Sequence, residues 1–547
     1  MIDVFLLSFL VTFIYTPFGY LIHKGNNTIS FSLQLIFSII IVSFFSLLLN
    51  FFIPLSQNIN SIFLIVGFLL ILKYRKNYFN KKYLKFCIYT SAIIFLLICS
   101  SNVYRPDAGL YHLPYTKIIN DEKIIFGISN LHFRFGHISI MQYTSAIFNN
   151  ILFKENGIVF PGSIIASSVM LNFLSQLNKY LKNKSYNFHF LVIMFLTIFI
   201  FYKINRYSEF GNDAPAHLLL FLLVSEIIKN YRSMTNNRFF DLILISLFII
   251  MNKIILLFSI LFPMALLPYK KFKFIIFTKK NLFIILFLIL WSIKNILVSG
   301  CFLYPVKFSC IEKLVWTDKK LAEKVSIENE AWAKGWPDFR GKNSTISQYD
   351  YSKNFKWIVT WSKNHLLKML KILIPYFLLI LIIFLLVKTN FKNIKIEKYI
   401  KFLLLISFLG TIVWLLKVPV FRYGYSYLII FFSVLFGITF SLYEVKENFN
   451  KIFKSVISIL VLVFIFKNSN RIIFEDKKYF NYPWPKFYSM NSENIPNKPN
   501  SKIINGKNIY YAQNSYCMYS YSPCGIVIND IAHKSYYNYS IIYKLSD

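Results

Sequence analysis

The sequence predicts an all-α polytopic membrane protein of roughly 13–14 transmembrane helices. Three observations carry that expectation. The 547 residues are 56% hydrophobic with a mean hydropathy of +0.52, more apolar surface than a soluble chain of this size can bury. Apolar runs recur near the ~20 residues a helix needs to cross a bilayer, too long and too continuous for barrel strands. The lysine-rich connectors then all fall on one face, as the positive-inside rule requires.

In chain order, runs near 2–22, 31–53, 58–72 and 86–100 form an N-terminal set of helices over 1–100. The start, Met1-Ile2-Asp3-Val4, lacks the basic n-region of a cleaved signal, so the first span is expected to be retained. The connector 73–85 carries Lys73, Arg75, Lys76, Lys81, Lys82 and Lys85 and no acid, which puts it inside. Residues 101–157 then form an external acidic loop, with His137–Phe153 interfacial or re-entrant. A transmembrane core covers 158–299, with Asn252 and Lys253 at the junction of two short spans in 239–267. An external Trp-rich loop spans 300–366, C-terminal helices fill 367–467, and 468–547 is a polar external tail, expected to be a small α/β cap.

The net charge of +36 raises nucleic acid as a partner. The cations cluster between spans, however, where they set topology, and lysine accompanies an excess of Ile, Asn, Phe and Tyr. The expected partner is the lipid bilayer and not nucleic acid. Cys87 and Cys99 share one span and read as core residues. Cys301/Cys310 and Cys517/Cys524 form two close pairs on the external face, where disulfides persist. Free thiols or a metal site are the alternatives, although spacings of nine and seven suit zinc poorly.

Asp107 is the first candidate for chemistry. It stands in Arg105-Pro106-Asp107-Ala108-Gly109, where the chain leaves the fourth span, with Tyr111, His112 and Tyr115 just after it. A carboxylate at a membrane boundary can act as general base on a hydroxyl, or hold a divalent cation with a second carboxylate. A helix cap is the simpler account on these residues alone. Glu209 and Asp213 lie on another short external loop, beside Arg206 and His217; Asp213 before Ala214-Pro215 also suits a cap. Lys294 and Arg422 are cations at span ends, costly unless paired, and an anionic lipid head group is an apt partner for each; snorkelling is the alternative. Five of the eight tryptophans, Trp316, Trp332, Trp336, Trp357 and Trp361, fall in loop 300–366, where they suit sugar stacking or an interfacial belt. No Walker loop, Rossmann glycine signature or zinc motif is present, which argues against a nucleotide-driven pump and direct use of a nucleotide-sugar.

These motifs resemble the GT-C class of polytopic glycosyltransferases, which includes protein O-mannosyltransferases and lipid A aminoarabinose transferases. The likeness is closest to bacterial multi-span members of that superfamily. It is carried by Asp107-x-x-x-Tyr111-His112-Leu113-Pro114, by Lys294-Asn295-x-x-x-Ser299-Gly300-Cys301-x-x-Tyr304-Pro305, by Lys417-x-Pro419-x-x-Arg422-Tyr423, and by the Cys517/Cys524 tail. The chain departs from the pattern in three places. Cys301-Phe302-Leu303 stands in the usual Asn-Pro region, the acid motif has one carboxylate instead of an adjacent pair, and four spans precede it.

The resemblance implies a GT-C-like fold in the bacterial inner membrane and an inverting transfer on the external face. The sugar would move from a polyprenyl-phosphate carrier to a hydroxyl of a glycan, lipid or protein acceptor. Asp107 would be the base with His112 beside it, Tyr111 would touch substrate, Lys294 and Arg422 would hold the lipid phosphate, and Glu209 or Asp213 would orient a sugar or hold a divalent cation. Two rivals remain at this point. One is a polysaccharide polymerase or ligase using Arg340 and His365 in the large loop. The other is a flippase or transporter of lipid-linked glycans, which an internal repeat and midplane charges would favour.

Overall fold

A computed structural model describes residues 1–23, 29–101, 107–203, 213–267, 278–340, 346–392, 395–445, 449–474, 480–487, 499–512, 516–527 and 529–545. Among these, eight helices are long and apolar enough to cross a bilayer. They are Ile2–Leu21, Phe31–Asn50, Lys154–Lys182, Lys279–Ser299, Trp357–Val387, Lys398–Lys417, Phe421–Ser441 and Phe449–Phe474. The other expected spans are helices too, but shorter or more charged: Gln57–Lys73, Lys81–Ile98, Phe188–Lys203, Asp213–Asn230, Asn236–Asn252 and Ile254–Met264. By length and hydropathy the count of membrane-crossing helices is thus eight among the described residues.

Local chemistry sets the helix ends. Ser30, Asn80, Thr235 and Thr278 each accept a backbone N–H of the first turn they precede. Gly300 ends Lys279–Ser299 at φ 76°, and a Cβ there would lie 1.9 Å from the Thr317 hydroxyl, so only glycine fits. Helices Phe31–Asn50, Lys154–Lys182, Phe188–Lys203 and Asp213–Asn230 bury most of their residues and form the core. Lys279–Ser299 and Phe449–Phe474 lie at the rim, with few of their residues buried and a row of apolar side chains exposed as lipid-facing surface would be.

Charged groups gather at the two ends of this helix layer. One end holds Arg232–Glu397 at 2.9 Å and Lys280–Asp241 at 2.5 Å. The other holds the starts of Asp213–Asn230 and Phe421–Ser441, the turn at Lys253, and the loop that begins at Asp107. That loop is not one extended segment. It folds into short helices, including a π-helix Ala108–His112, then Leu113–Asp121 and Ile140–Ile147, all largely buried.

The tail begins with the last turns of Phe449–Phe474, and its described residues after Phe474 form strands. Its hairpins Asn500–Ile504/Lys507–Tyr511 and Ile531–Tyr536/Tyr539–Lys544 pack on the acidic loop. Tyr519 donates to Asn120 at 2.8 Å and accepts from Asn149 at 2.7 Å. A Cβ on Gly109 would come within 2.4 Å of the Met518 sulfur, so the tail closes directly over the turn after Asp107.

Cys301–Cys310 and Cys517–Cys524 are disulfide-bonded, and Cys87 and Cys99 are buried thiols. A membrane-impermeant maleimide applied to intact cells is therefore expected to leave Cys517 and Cys524 unlabelled until a reductant is added; labelling beforehand would contradict the bond. In the Trp-rich loop, Trp357 and Trp361 are buried and Trp336 packs against them. These three form the loop's own core and not a stacking platform. Trp332 is 48% exposed.

Candidate functional site

The charged end of the helix layer opens into a cavity of about 1590 Å³, above the ~300–1,000 Å³ of an ordinary ligand site. Its walls combine apolar residues such as Ile158, Val159 and Ile372 with a cluster of acids and cations. Asp107 stands at the centre of that cluster. One carboxylate oxygen accepts from Arg134 Nη1 at 3.2 Å and the other from Arg422 Nη2 at 2.9 Å. The side chain makes no capping bond to the π-helix it precedes, so the cap reading fails. Single-turn π-helices are frequent at functional sites because they re-aim a side chain.

Asp213 is the second acid. It pairs with Lys253 and lies 3.9 Å from Arg422 Nε, so Arg422 bridges both carboxylates. Lys253 Nζ also donates to the Arg422 carbonyl at 3.3 Å. His217 fixes that turn further, with Nε2 2.9 Å from the same carbonyl and Nδ1 2.7 Å from Ser426 Oγ. Arg422 donates as well to the Tyr423 hydroxyl at 3.2 Å, and Arg134 lies 5.2 Å over the Tyr111 ring. Burial pushes the Lys253 ammonium down to about 8, with Asp213 opposing the shift.

His112 is buried in the cavity wall, its Nδ1 2.6 Å from Gln142 Nε2. Burial pushes its imidazole down to about 4, so the ring is neutral at physiological pH and a weak base. That suits a hydrogen bond to a ligand and not the proton-accepting role. The Tyr111 phenol lines the cavity and burial drives its pKa upward, keeping the hydroxyl protonated.

The site therefore gathers Asp107, Tyr111, His112, Asp213 and Arg422 from the sequence expectations. Lys294 is a correction. It is fully buried and does not line the cavity; its ammonium donates to the Ile138 carbonyl at 3.1 Å and lies 3.5 Å from the Trp291 ring centroid. It braces the wall, since Ile138 and Trp291 are lining residues, and cannot grip a ligand there. Glu209 lies outside the described residues. Arg134 and Lys253 join the cluster although no motif points to them. Lys253 carried a signal, a lone cation between two apolar runs; Arg134 carried only its place among His132, Phe133, Phe135 and His137.

A divalent cation does not fit this constellation. Each carboxylate already faces two cationic side chains, and no group of three or more His, Cys, Asp or Glu suited to a metal occurs among the described residues. What the cluster suits is an anion that competes with the carboxylates for the guanidinium groups, since Arg binds phosphate in two-pronged geometry.

No curated protein and no solved structure matches the chain. Residues 1–429 match a family described as "Domain of unknown function (DUF8201)", a span that includes Asp107, Arg134, Asp213, Lys253 and Arg422. With more than half of its length matched, the chain belongs to the DUF8201 family.

Proposed function

We propose that the protein is an integral membrane glycosyltransferase of GT-C type. It moves a sugar from a polyprenyl-phosphate carrier to an acceptor hydroxyl on the external face of a bacterial inner membrane. The observation that carries this reading is the Asp107 carboxylate held between Arg134 and Arg422 in a large cavity at the helix ends. The lysine-rich connectors support an external position for that end.

In this reading the donor phosphate takes over contacts from Arg134 and Arg422 and releases Asp107. Asp107 then accepts the proton of the acceptor hydroxyl. The acceptor oxygen forms a bond to the anomeric carbon as the bond from that carbon to the phosphate oxygen breaks, inverting the centre. The leaving polyprenyl phosphate keeps the electron pair, and the two guanidinium groups stabilise the charge it gains. Neutral His112 and protonated Tyr111 hydrogen-bond sugar hydroxyls. Asp213 and Lys253 keep Arg422 aimed.

The test is transfer in membranes containing the protein, supplied with polyprenyl-phosphate-linked labelled sugars. Label is expected to leave the lipid phosphate with release of free polyprenyl phosphate; no discharge of any such donor would contradict the reading. A pH dependence follows from Lys253. Its charge is present below about 8 and lost above it, so Arg422 loses support and the rate falls as pH rises through that value. Lys253→Arg, whose guanidinium stays charged to beyond pH ~12, is expected to move this alkaline limb upward. A limb unmoved in Lys253→Arg would assign it to another group.

A further inference from the structure

Helix Lys319–Ala333, in the Trp-rich loop, lines the cavity with Ser326, Asn329 and Trp332. Successive members are three residues apart, so they form one row along the helix, about 9 Å long. Six of the helix's fifteen residues are charged, which keeps it out of hydrocarbon. The indole of Trp332, 48% exposed, therefore belongs to the wet cavity wall and not to a lipid-facing belt. The loop's other tryptophans are engaged elsewhere. Trp336, Trp357 and Trp361 pack in the loop's core, and Trp316 donates to the Ile296 carbonyl at 3.0 Å.

The row lies between the two segments that bring arginines to Asp107. Asn329 Nδ2 lies 3.2 Å from His137 Nε2, and His137 ends the short helix Phe133–His137, which carries Arg134. Glu330, next along the helix, accepts from Lys417 at 3.2 Å, and Lys417 stands five residues before Arg422. The other Glu330 oxygen faces Lys334 at 2.7 Å. What the row itself presents is an aromatic face, an amide and a hydroxyl, all uncharged.

We infer that this row is a subsite for the acceptor, and that the acceptor is a glycan chain. The inference rests on the transferase reading, which supplies the donor sugar in the same cavity. A pyranose ring has an apolar C–H face and a rim of hydroxyls. The face stacks on the Trp332 indole, an apolar body in a wet site, while the rim meets the Asn329 amide and the Ser326 hydroxyl. A row of about 9 Å exceeds one sugar ring, so it holds the chain behind the hydroxyl that Asp107 deprotonates. Because Asn329 and Glu330 contact the Arg134 and Arg422 segments, a chain seated on the row lies against the groups that hold the donor phosphate.

The probe is a mixture of short neutral oligosaccharides released by mild acid from the envelope glycans of cells that make the protein. Native mass spectrometry of the full chain in detergent reads which of them it captures. The wild type is expected to capture at least one, and Trp332→Ala to weaken that capture about tenfold, the effect of one sugar face buried on an indole. Trp332→Phe is expected to keep most of it, because an aromatic ring remains. Ala331 and Ala333, buried beside Trp332, are untouched by these changes, and an unchanged elution profile and melting midpoint check folding. No capture by the wild type, or equal capture by Trp332→Ala, would overturn the inference. So would capture of tryptic peptides or phosphatidylglycerol in place of the sugars, lost in Trp332→Ala, since the row would then hold a protein or lipid acceptor. If sugar capture depends on Trp332 but labelled polyprenyl-phosphate sugars are never discharged, the transferase reading fails and the acceptor role falls with it. Discharge without capture removes the subsite alone.

Discussion

Asp107→Asn is expected to lower sugar transfer by about 10²–10⁴-fold, the range a positioned general base supplies. Asparagine keeps the side-chain volume and one carbonyl oxygen for Arg134 or Arg422, yet its amide cannot take a proton from a hydroxyl. Protein level and membrane insertion are expected to stay at wild-type values, because Asp107 makes no capping bond and its partners are the two arginines. Donor binding is expected to persist or strengthen, since the phosphate no longer competes with a carboxylate. A fully active Asp107→Asn protein sinks the assignment of the base.

Arg422→Gln carries the second large effect. Arg422 bridges Asp107 and Asp213 and points its guanidinium into the cavity. Its loss removes a donor aimed at the leaving phosphate and is expected to cost about 10²–10³ in kcat, as loss of one preorganised charge-stabilising donor does. The donor KM is expected to rise as well. Arg422→Lys is expected to recover only a minor part, because an ammonium is a single point charge and cannot span two carboxylates. Unchanged kinetics in Arg422→Gln, measured on membranes with equal protein, would remove Arg422 from the site.

The membrane class was legible because apolar run length and cation placement are local properties of the chain. So were Asp107, Asp213 and Arg422, each an ionisable group at the edge of an apolar run, where such groups are expensive. The pairing itself was not legible. Asp107 and Arg422 are 315 residues apart, and nothing local says that they meet. Lys294 misled for the same reason. A lysine one turn from a span end looks the same in sequence whether it faces a cavity or a carbonyl inside the wall, and here helix rotation turned it to Ile138. The tryptophan loop showed a similar limit. Trp357 and Trp361 pack with Tyr351, and only the fold distinguishes a loop's core from a sugar platform. Fewer helices than expected reach the length and hydropathy of a span, because Gln57–Lys73, Phe188–Lys203 and Ile254–Met264 are short and because Lys81–Ile98 and Asp213–Asn230 carry several charged residues.

The most direct measurement is the glycan profile of cells lacking the protein, complemented with the wild type or with Asp107→Asn at equal expression. Loss of one envelope glycan, restored by the wild type and not by Asp107→Asn, is the expected result. Restoration by Asp107→Asn, or an unchanged profile in the deleted cells, would contradict a glycosyltransferase built around Asp107.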